Sequence, residues 1–171
     1  VSDAALVGSD ALTTAKILAA AIRDQSPDLV IAGSESSDGY TGTVPVQVAE
    51  LLGVPAITFA KSIAVEGGTV KVQRQTEAGY DDVECPLPAV VSVTAGVVEP
   101  RYPSFKGIMA AKSKPVDEVT VADLGLDASV VGWAGARQEI TSIAAAPSRQ
   151  AGEVVEDDGT GFEKIVAYLD N

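Results

Sequence analysis

The chain has 171 residues, 46% of them hydrophobic, and its 24 acidic against 12 basic side chains give a formal net charge of −12; it is long enough for one main core plus an appendage, and its charge argues against nucleic acid as a partner. With no histidine and a single cysteine, Cys85, a Ser–His or Cys–His hydrolytic pair lacks its base, and a zinc or haem site is disfavoured. The lone cysteine, the lack of a signal-like apolar start and the lack of a long apolar span predict a soluble protein of a reducing, cytoplasmic, bacterial-type compartment, free of disulfides and of membrane insertion.

The first predicted element is already a helix, so the chain, starting at Val1, reads as a fragment. Ser9 and Asp10 offer caps, and Ala11, Leu12, Ala15, Leu18, Ala19 and Ile22 form one helical stripe ending near Asp24. Asp28 to Gly33 is a short, continuously apolar strand of the kind buried in a parallel sheet, and a second helix is predicted over about Thr41–Leu52 with Gly53 as its stop. With the following strand Ala56–Phe59 these make a right-handed α/β unit, whose ligand crevice belongs at the strand's carboxyl end. Alternation over Ile57–Val65, Val70–Gln75 and Tyr80–Cys85, broken by glycine turns at Gly67-Gly68 and Ala78-Gly79, predicts an antiparallel meander. A buried strand, Ala89–Thr94, follows. After a basic loop come a short helix over Val119–Leu126, a strand-like segment over Ile140–Ala144, an acidic extended arm over Pro147–Asp158, and a closing helix over Gly161–Leu169 with the apolar stripe Phe162, Ile165, Val166 and Leu169. That last helix suits packing on its own domain and wrapping of a partner equally.

Two segments carry candidate function. Between the first strand and the second helix, Gly33, Ser34, Glu35, Ser36, Asp38, Gly39, Tyr40, Thr41, Gly42 and Thr43 bring glycines, hydroxyls and backbone amides to a helix N-terminus, where the dipole and free amides favour phosphate. The loop has neither a Walker pattern nor Gly-x-Gly-x-x-Gly, and taken alone it suits an ordinary capped loop better, with Asp38 as a turn or cap residue. Further on, Glu99-Pro-Arg-Tyr-Pro-Ser-Phe-Lys-Gly-Ile-Met-Ala-Ala-Lys112 leads into Lys114 and Pro115, with four cations and no acid between positions 100 and 116. Aromatic side chains inside such a segment suit a docking anchor steered to an acidic partner better than a core, which would drag charged neighbours inward. Cys85, flanked by an acid and Pro86, is expected to be inert, and Trp133 to be a packing residue.

Leu29 to Gly33 with Ser36-Ser-Asp38-Gly and Thr41-Gly42, Leu87-Pro-Ala-Val-Val-Ser-Val93, and above all Glu99 to Lys112 resemble the small (beta) subunit of electron transfer flavoproteins. The resemblance runs from about Ser9 to the terminal helix, includes Pro147 to Gly152 as the family's C-terminal arm, and implies a beta subunit lacking its N-terminal segment. It implies a partial doubly wound, adenine-nucleotide alpha-hydrolase-like α/β sheet in residues 1–146, with an antiparallel meander, and a C-terminal arm and helix in residues 147–171 that pack on a partner subunit. Also implied are an alpha subunit carrying the redox-active FAD, a structural AMP in the beta subunit or a second FAD in some relatives, and acyl-CoA or related dehydrogenases as electron donors in fatty acid oxidation. On this resemblance Gly33 to Ser36 line the adenosine, Asp38 to Thr43 form the nucleotide loop, with Thr41 to Thr43 on the phosphate, and Arg101, Tyr102, Phe105, Lys106, Ile108, Met109 and Lys112 belong to the docking loop, Phe105 being its apolar anchor. The chain is then an electron carrier component and not an enzyme. A rival of another class is a stand-alone adenine-nucleotide-binding sensor of related fold.

Overall fold

Asp10 begins the architecture. In the computed structural model, which describes residues 1–149, 152 and 154–170, its carboxylate accepts from the Thr13 amide at 2.8 Å and caps α1 (Ala11–Gln25). Helix α1 buries Thr13, Ala15, Ile17, Ala19 and Ala20, whereas Leu18 of the expected stripe is exposed. The buried stripe runs through small residues, which let α1 approach the neighbouring helix and leave the longer leucine outside.

Strand β1 (Leu29–Gly33), helix α2 (Val44–Leu52) and strands β2 (Ala56–Glu66), β3 (Thr69–Thr76), β4 (Gly79–Pro86) and β5 (Ala89–Val93) follow, then the short helices α3 (Phe105–Ala111) and α4 (Gly132–Gly135) and finally α5 (Gly161–Leu169). The five strands form one sheet in the order β1-β5-β2-β3-β4. β5 lies parallel to both β1 and β2, and β2 to β4 run antiparallel. The meander and its glycine turns match the alternation in the sequence. Gly67 and Gly68 both take positive φ, as a tight hairpin requires. Strand β1 differs from its expected burial: it is an edge strand among the described residues, and Ile31 is 58% exposed.

The two faces of the sheet bury separate clusters. Val90 packs with Ala15, Ala19, Val48 and Ala49 of the helices, while its neighbours Ala89 and Val91 join Ile57, Ala60, Val70 and Val72 on the other side. In β2 a bulge puts Phe59 at φ 57, and the buried Ser92 hydroxyl accepts its freed amide at 3.1 Å.

Two predicted elements are absent. Val119–Leu126 is an irregular segment closed by turns, and Ile140–Ala144 pairs with no strand. Part of the basic loop is instead helical: Ser104 accepts from the Gly107 amide at 3.1 Å and starts α3. The chain divides into two units, Val1–Glu139 and Ile140–Asn171. In the second, Phe162, Ile165, Val166 and Leu169 of α5 are exposed. Gln150, Ala151 and Glu153 of the expected arm lie outside the described residues.

The N-terminal segment is stitched to residues 119–137. The Ser2 amide donates to the Val119 carbonyl, the Trp133 amide to the Val7 carbonyl, and the Val121 amide to the Asp3 carboxylate. Trp133 lies over Gly8 so closely that a Cβ at Gly8 would overlap the indole ring. A Cβ at Gly132, φ 54, would overlap the Ala5 carbonyl oxygen, whereas Gly53, φ 71, has open space around it. Gly53→Ala is therefore expected to cost about 1 kcal/mol from backbone conformation alone, and Gly132→Ala about 3 kcal/mol or more. Urea unfolding of the two variants checks this; equal losses would mean that the close approach at Gly132 contributes nothing.

Candidate functional site

The candidate loop leaves the sheet where β1 and β5 end side by side, Gly33 opposite Val93. There the Ser34 hydroxyl donates to the Val93 carbonyl at 2.9 Å, fixing the loop to the central strand. Beyond it the chain folds on itself. The Gly39 amide donates to Asp38 Oδ1 at 2.7 Å and to Ser36 Oγ at 3.3 Å, and the Tyr40 amide donates to the Ser36 carbonyl. Hydrogen bonds from the Ser36 hydroxyl and the Gly39 amide hold the Asp38 carboxyl below the usual aspartate range. Asp38 thus shapes the loop from within. Tyr40 and Gly42 both take positive φ, 47° and 63°, and Glu35, Ser36 and Tyr40 are exposed.

Of the ten candidate loop residues, Thr41 and Thr43 line a cleft of about 450 Å³. Its remaining walls are Asp10, Ala11 and Leu12 at the start of α1, Gln47 of α2, and Arg137 with Gln138. Thr43 is the N-cap of α2 yet makes no side-chain capping bond; its Oγ1 accepts from Gln47 Nε2 at 3.4 Å. The first-turn amides of a helix lack partners within it, and Pro45 removes one of those in α2. What remains is a helix N-terminus with two threonines, in a cleft whose other lining residues include Arg137 and Asp10; the helix end suits an anion or a phosphorylated ligand.

Asp10 holds this cleft together. Its Oδ1 accepts from the Thr13 amide and hydroxyl, and its Oδ2 accepts from the Arg137 amide at 2.7 Å, across 127 positions of sequence. Burial pushes its carboxyl up, but the hydrogen bonds from Arg137, Thr13 and Gln138 together outweigh that and hold it below the usual range.

The second candidate segment forms a separate surface. From its Ser104 cap, α3 sets Phe105, Ile108, Met109 and Lys112 at positions i, i+3, i+4 and i+7, which fall on one helix face. All are exposed, as are Arg101, Tyr102 and Lys106; Tyr102 is 98% and Phe105 81% exposed. An exposed apolar stripe beside four cations in a strongly acidic chain suits association better than a core.

Residues 1–124 match the model of the electron transfer flavoprotein domain. The chain belongs to the electron transfer flavoprotein family. It is 45% identical over 168 residues to the electron transfer flavoprotein subunit beta of Mycobacterium leprae, covering 98% of this chain and 63% of that protein. The corresponding subunit of Mycobacterium tuberculosis H37Rv is 44% identical with the same coverage, and that of Megasphaera elsdenii is 35% identical over 97% of this chain and 67% of its own length. The chain therefore spans a little under two thirds of the length of the mycobacterial relatives it matches. The mixed five-stranded α/β sheet is consistent with the family's fold.

Within this family member the sequence pattern pointed to the loop but missed Asp10 as a cleft residue, along with Gln47 and Arg137. Asp10 was legible as a helix cap, and only the fold brings Arg137 to it. Among the described residues no group of three or more metal-ligating side chains converges, and no helix is long and apolar enough to cross a membrane. Cys85 is half-buried and burial pushes its thiol up, away from the reactive thiolate.

Asp10→Ala removes the α1 cap together with the tie to Arg137 and is expected to cost about 1–2 kcal/mol at neutral pH. Because the folded-state pKa is depressed, this stabilisation is fully present above the ordinary value of 3.8 and is lost as pH falls through the lower folded-state value. Urea unfolding at pH 7 and at about pH 3 should show the gap between wild type and variant narrowing in acid. A gap independent of pH would assign the loss to packing and not to the carboxylate.

Proposed function

We propose that the chain acts as the beta-subunit component of a heterodimeric electron transfer flavoprotein, a recognition and scaffold element without bond-making chemistry of its own. Its alpha-subunit partner carries FAD, which when bound takes up electrons from acyl-CoA or related dehydrogenases. The loop from Gly33 to Thr43, with its cleft, binds a structural adenine nucleotide, AMP or a second FAD; Thr41, Gly42 and Thr43 meet the phosphate, and Gly33 to Ser36 lie along the adenosine. Asp38 acts indirectly, by holding the loop's shape. The arm and helix of residues 147–171 pack on the alpha subunit, which accounts for an amphipathic α5 whose apolar residues are exposed.

The observation that carries this reading is α3. An exposed stripe of Phe105, Ile108 and Met109, bounded by Arg101, Lys106, Lys112 and Lys114 and free of acids, is costly to leave in water and matches an acidic partner with an apolar pocket. Cations steer the encounter, and the aromatic ring supplies the short-range hold. The chain's own part is to bring a dehydrogenase close and to support the partner's flavin, and neither needs an acid or a base on this chain.

Phe105→Ala, in complex with a flavin-loaded alpha subunit, is expected to lower the efficiency of electron acceptance from a dehydrogenase by about tenfold or more, with flavin content unchanged. Loss of flavin instead would make α3 a folding element. For the nucleotide, Asp38→Ala and Thr41→Val should each release the bound adenine nucleotide, read by mass spectrometry of the denatured complex; full retention in both variants would sink the assignment of the loop.

A further inference from the structure

The apolar stripe of α3 exists only while α3 is a helix. From Phe105 to Lys112 the chain covers about 10 Å as a helix and about 23 Å when extended. In an extended chain Phe105 and Ile108, an odd number of positions apart, also point to opposite sides. Whatever keeps this segment helical therefore keeps the docking surface assembled.

Among the described residues, packing does not do so. The root of the segment is fixed: the Thr94 amide and hydroxyl donate to the Ala60 carbonyl at 3.0 and 3.2 Å, and Lys61 Nζ donates to the Ala95 carbonyl at 3.4 Å. Beyond that root every residue from Val98 to Glu118 is exposed, and α3 buries none of its own. The hydrogen bonds described for Val98 to Glu118 all stay within Ser104 to Lys114.

A helix that must stand alone is marginal in water below about 12 residues, because nucleation fixes several residues for one bond. Helix α3 has seven. Gly107 inside it lowers the helical population further, by about fivefold relative to alanine. That glycine nevertheless suits the cap, since a Cβ there would stand 3.1 Å from Ser104 Oγ and crowd the hydroxyl that accepts the Gly107 amide. Two side chains bond the ends of the helix, Ser104 at the Gly107 amide and Ser113 at the Ala110 carbonyl. Ser104 is the one that satisfies a first-turn amide, which has no partner within the helix.

We propose that Ser104 is a positioning residue for dehydrogenase docking. In the free protein α3 exchanges between helix and open chain, only the helix presents the anchor stripe, and the Ser104 cap sets how much of it is formed. The inference rests on the docking reading above and adds to it the residue that controls assembly of that surface. A partner that binds only the helical form has an apparent affinity reduced by the fraction of chains that are helical. Loss of a serine cap lowers that fraction by about fivefold where the helix is the minor form.

Ser104→Ala, Ser104→Asn and Ser104→Thr test this, each as the 171-residue chain and in complex with a flavin-loaded alpha subunit. In the chain alone, the Cα chemical shifts of Phe105 to Ala111 should move toward open-chain values in Ser104→Ala. They should stay near wild type in the Asn and Thr variants, whose side chains also cap. With an acyl-CoA dehydrogenase as electron donor, Ser104→Ala should raise the half-saturating concentration of the complex about fivefold at unchanged kcat, and Asn and Thr should restore it. Helical shifts that persist in Ser104→Ala overturn the proposal. So does an equal loss of docking in all three variants, which would mean that Ser104 touches the partner directly. Unchanged docking in Ser104→Ala beside weakened docking in Phe105→Ala overturns it while the docking reading stands. Unchanged docking in both Ser104→Ala and Phe105→Ala overturns the docking reading itself, and this inference falls with it.

Discussion

Everything in the first unit hangs on burying β5 from both sides. It is the last strand in sequence and a central one in space: β1 and β2 never pair with each other, and each meets the sheet through β5. Side-chain alternation lets five residues serve two clusters, Val90 facing the helices and Ala89 with Val91 facing the meander, all at most 1% exposed. Chain entropy must be spent on joining residues 29 and 89 before that burial offsets it. Until β5 inserts, the carboxyl-end crevice does not exist, and Ser34 has no Val93 carbonyl to bind.

This dependence explains which parts of the molecule were readable in advance. The meander was, because period-two alternation and the Gly67-Gly68 turn encode a hairpin locally. So were α1, through the Asp10 cap, and α5, through its single stripe. Strand β1 misled because a continuous apolar run predicts burial on both faces, and nothing within Leu29 to Gly33 states what lies beyond the edge. Val119–Leu126 has helical spacing, yet its backbone is spent on turns and on the tie from Val121 to Asp3. The basic segment was expected as a loop because prolines bracket it; Ser104, placed after Pro103, supplies the cap that lets one face of apolar residues wind into a helix.

The candidate site divides in the same way. Its loop was visible as a cluster of glycine and hydroxyl residues, since that composition is what a tight path beside a helix terminus demands. The opposite wall was not, since Arg137 reaches the cleft only through the Asp10 carboxylate and through glycines that let residues 132–135 lie against the N-terminal backbone. Asp38, the most conspicuous acid of the loop, has one carboxylate oxygen engaged by the amide of its neighbour Gly39. A carboxylate that looks like a ligand in one dimension can be a brace in three.

The bulge at Phe59 marks a change in how firmly the sheet is held. At eleven residues, β2 reaches about 36 Å, roughly twice the span of β5, and its registered partners on β5 end at Ala60. Beyond that point Ser62 to Glu66 have a strand on one side only, and of the five Ile63 alone is half-buried, the others being exposed. The hairpin tip is therefore a cantilever, anchored at the Ser92 plug and progressively less supported toward Gly67. Opening can spread inward from the tip while the pairing of β1 with β5 stays intact, so fraying of the hairpin does not by itself disturb the crevice at the ends of those strands.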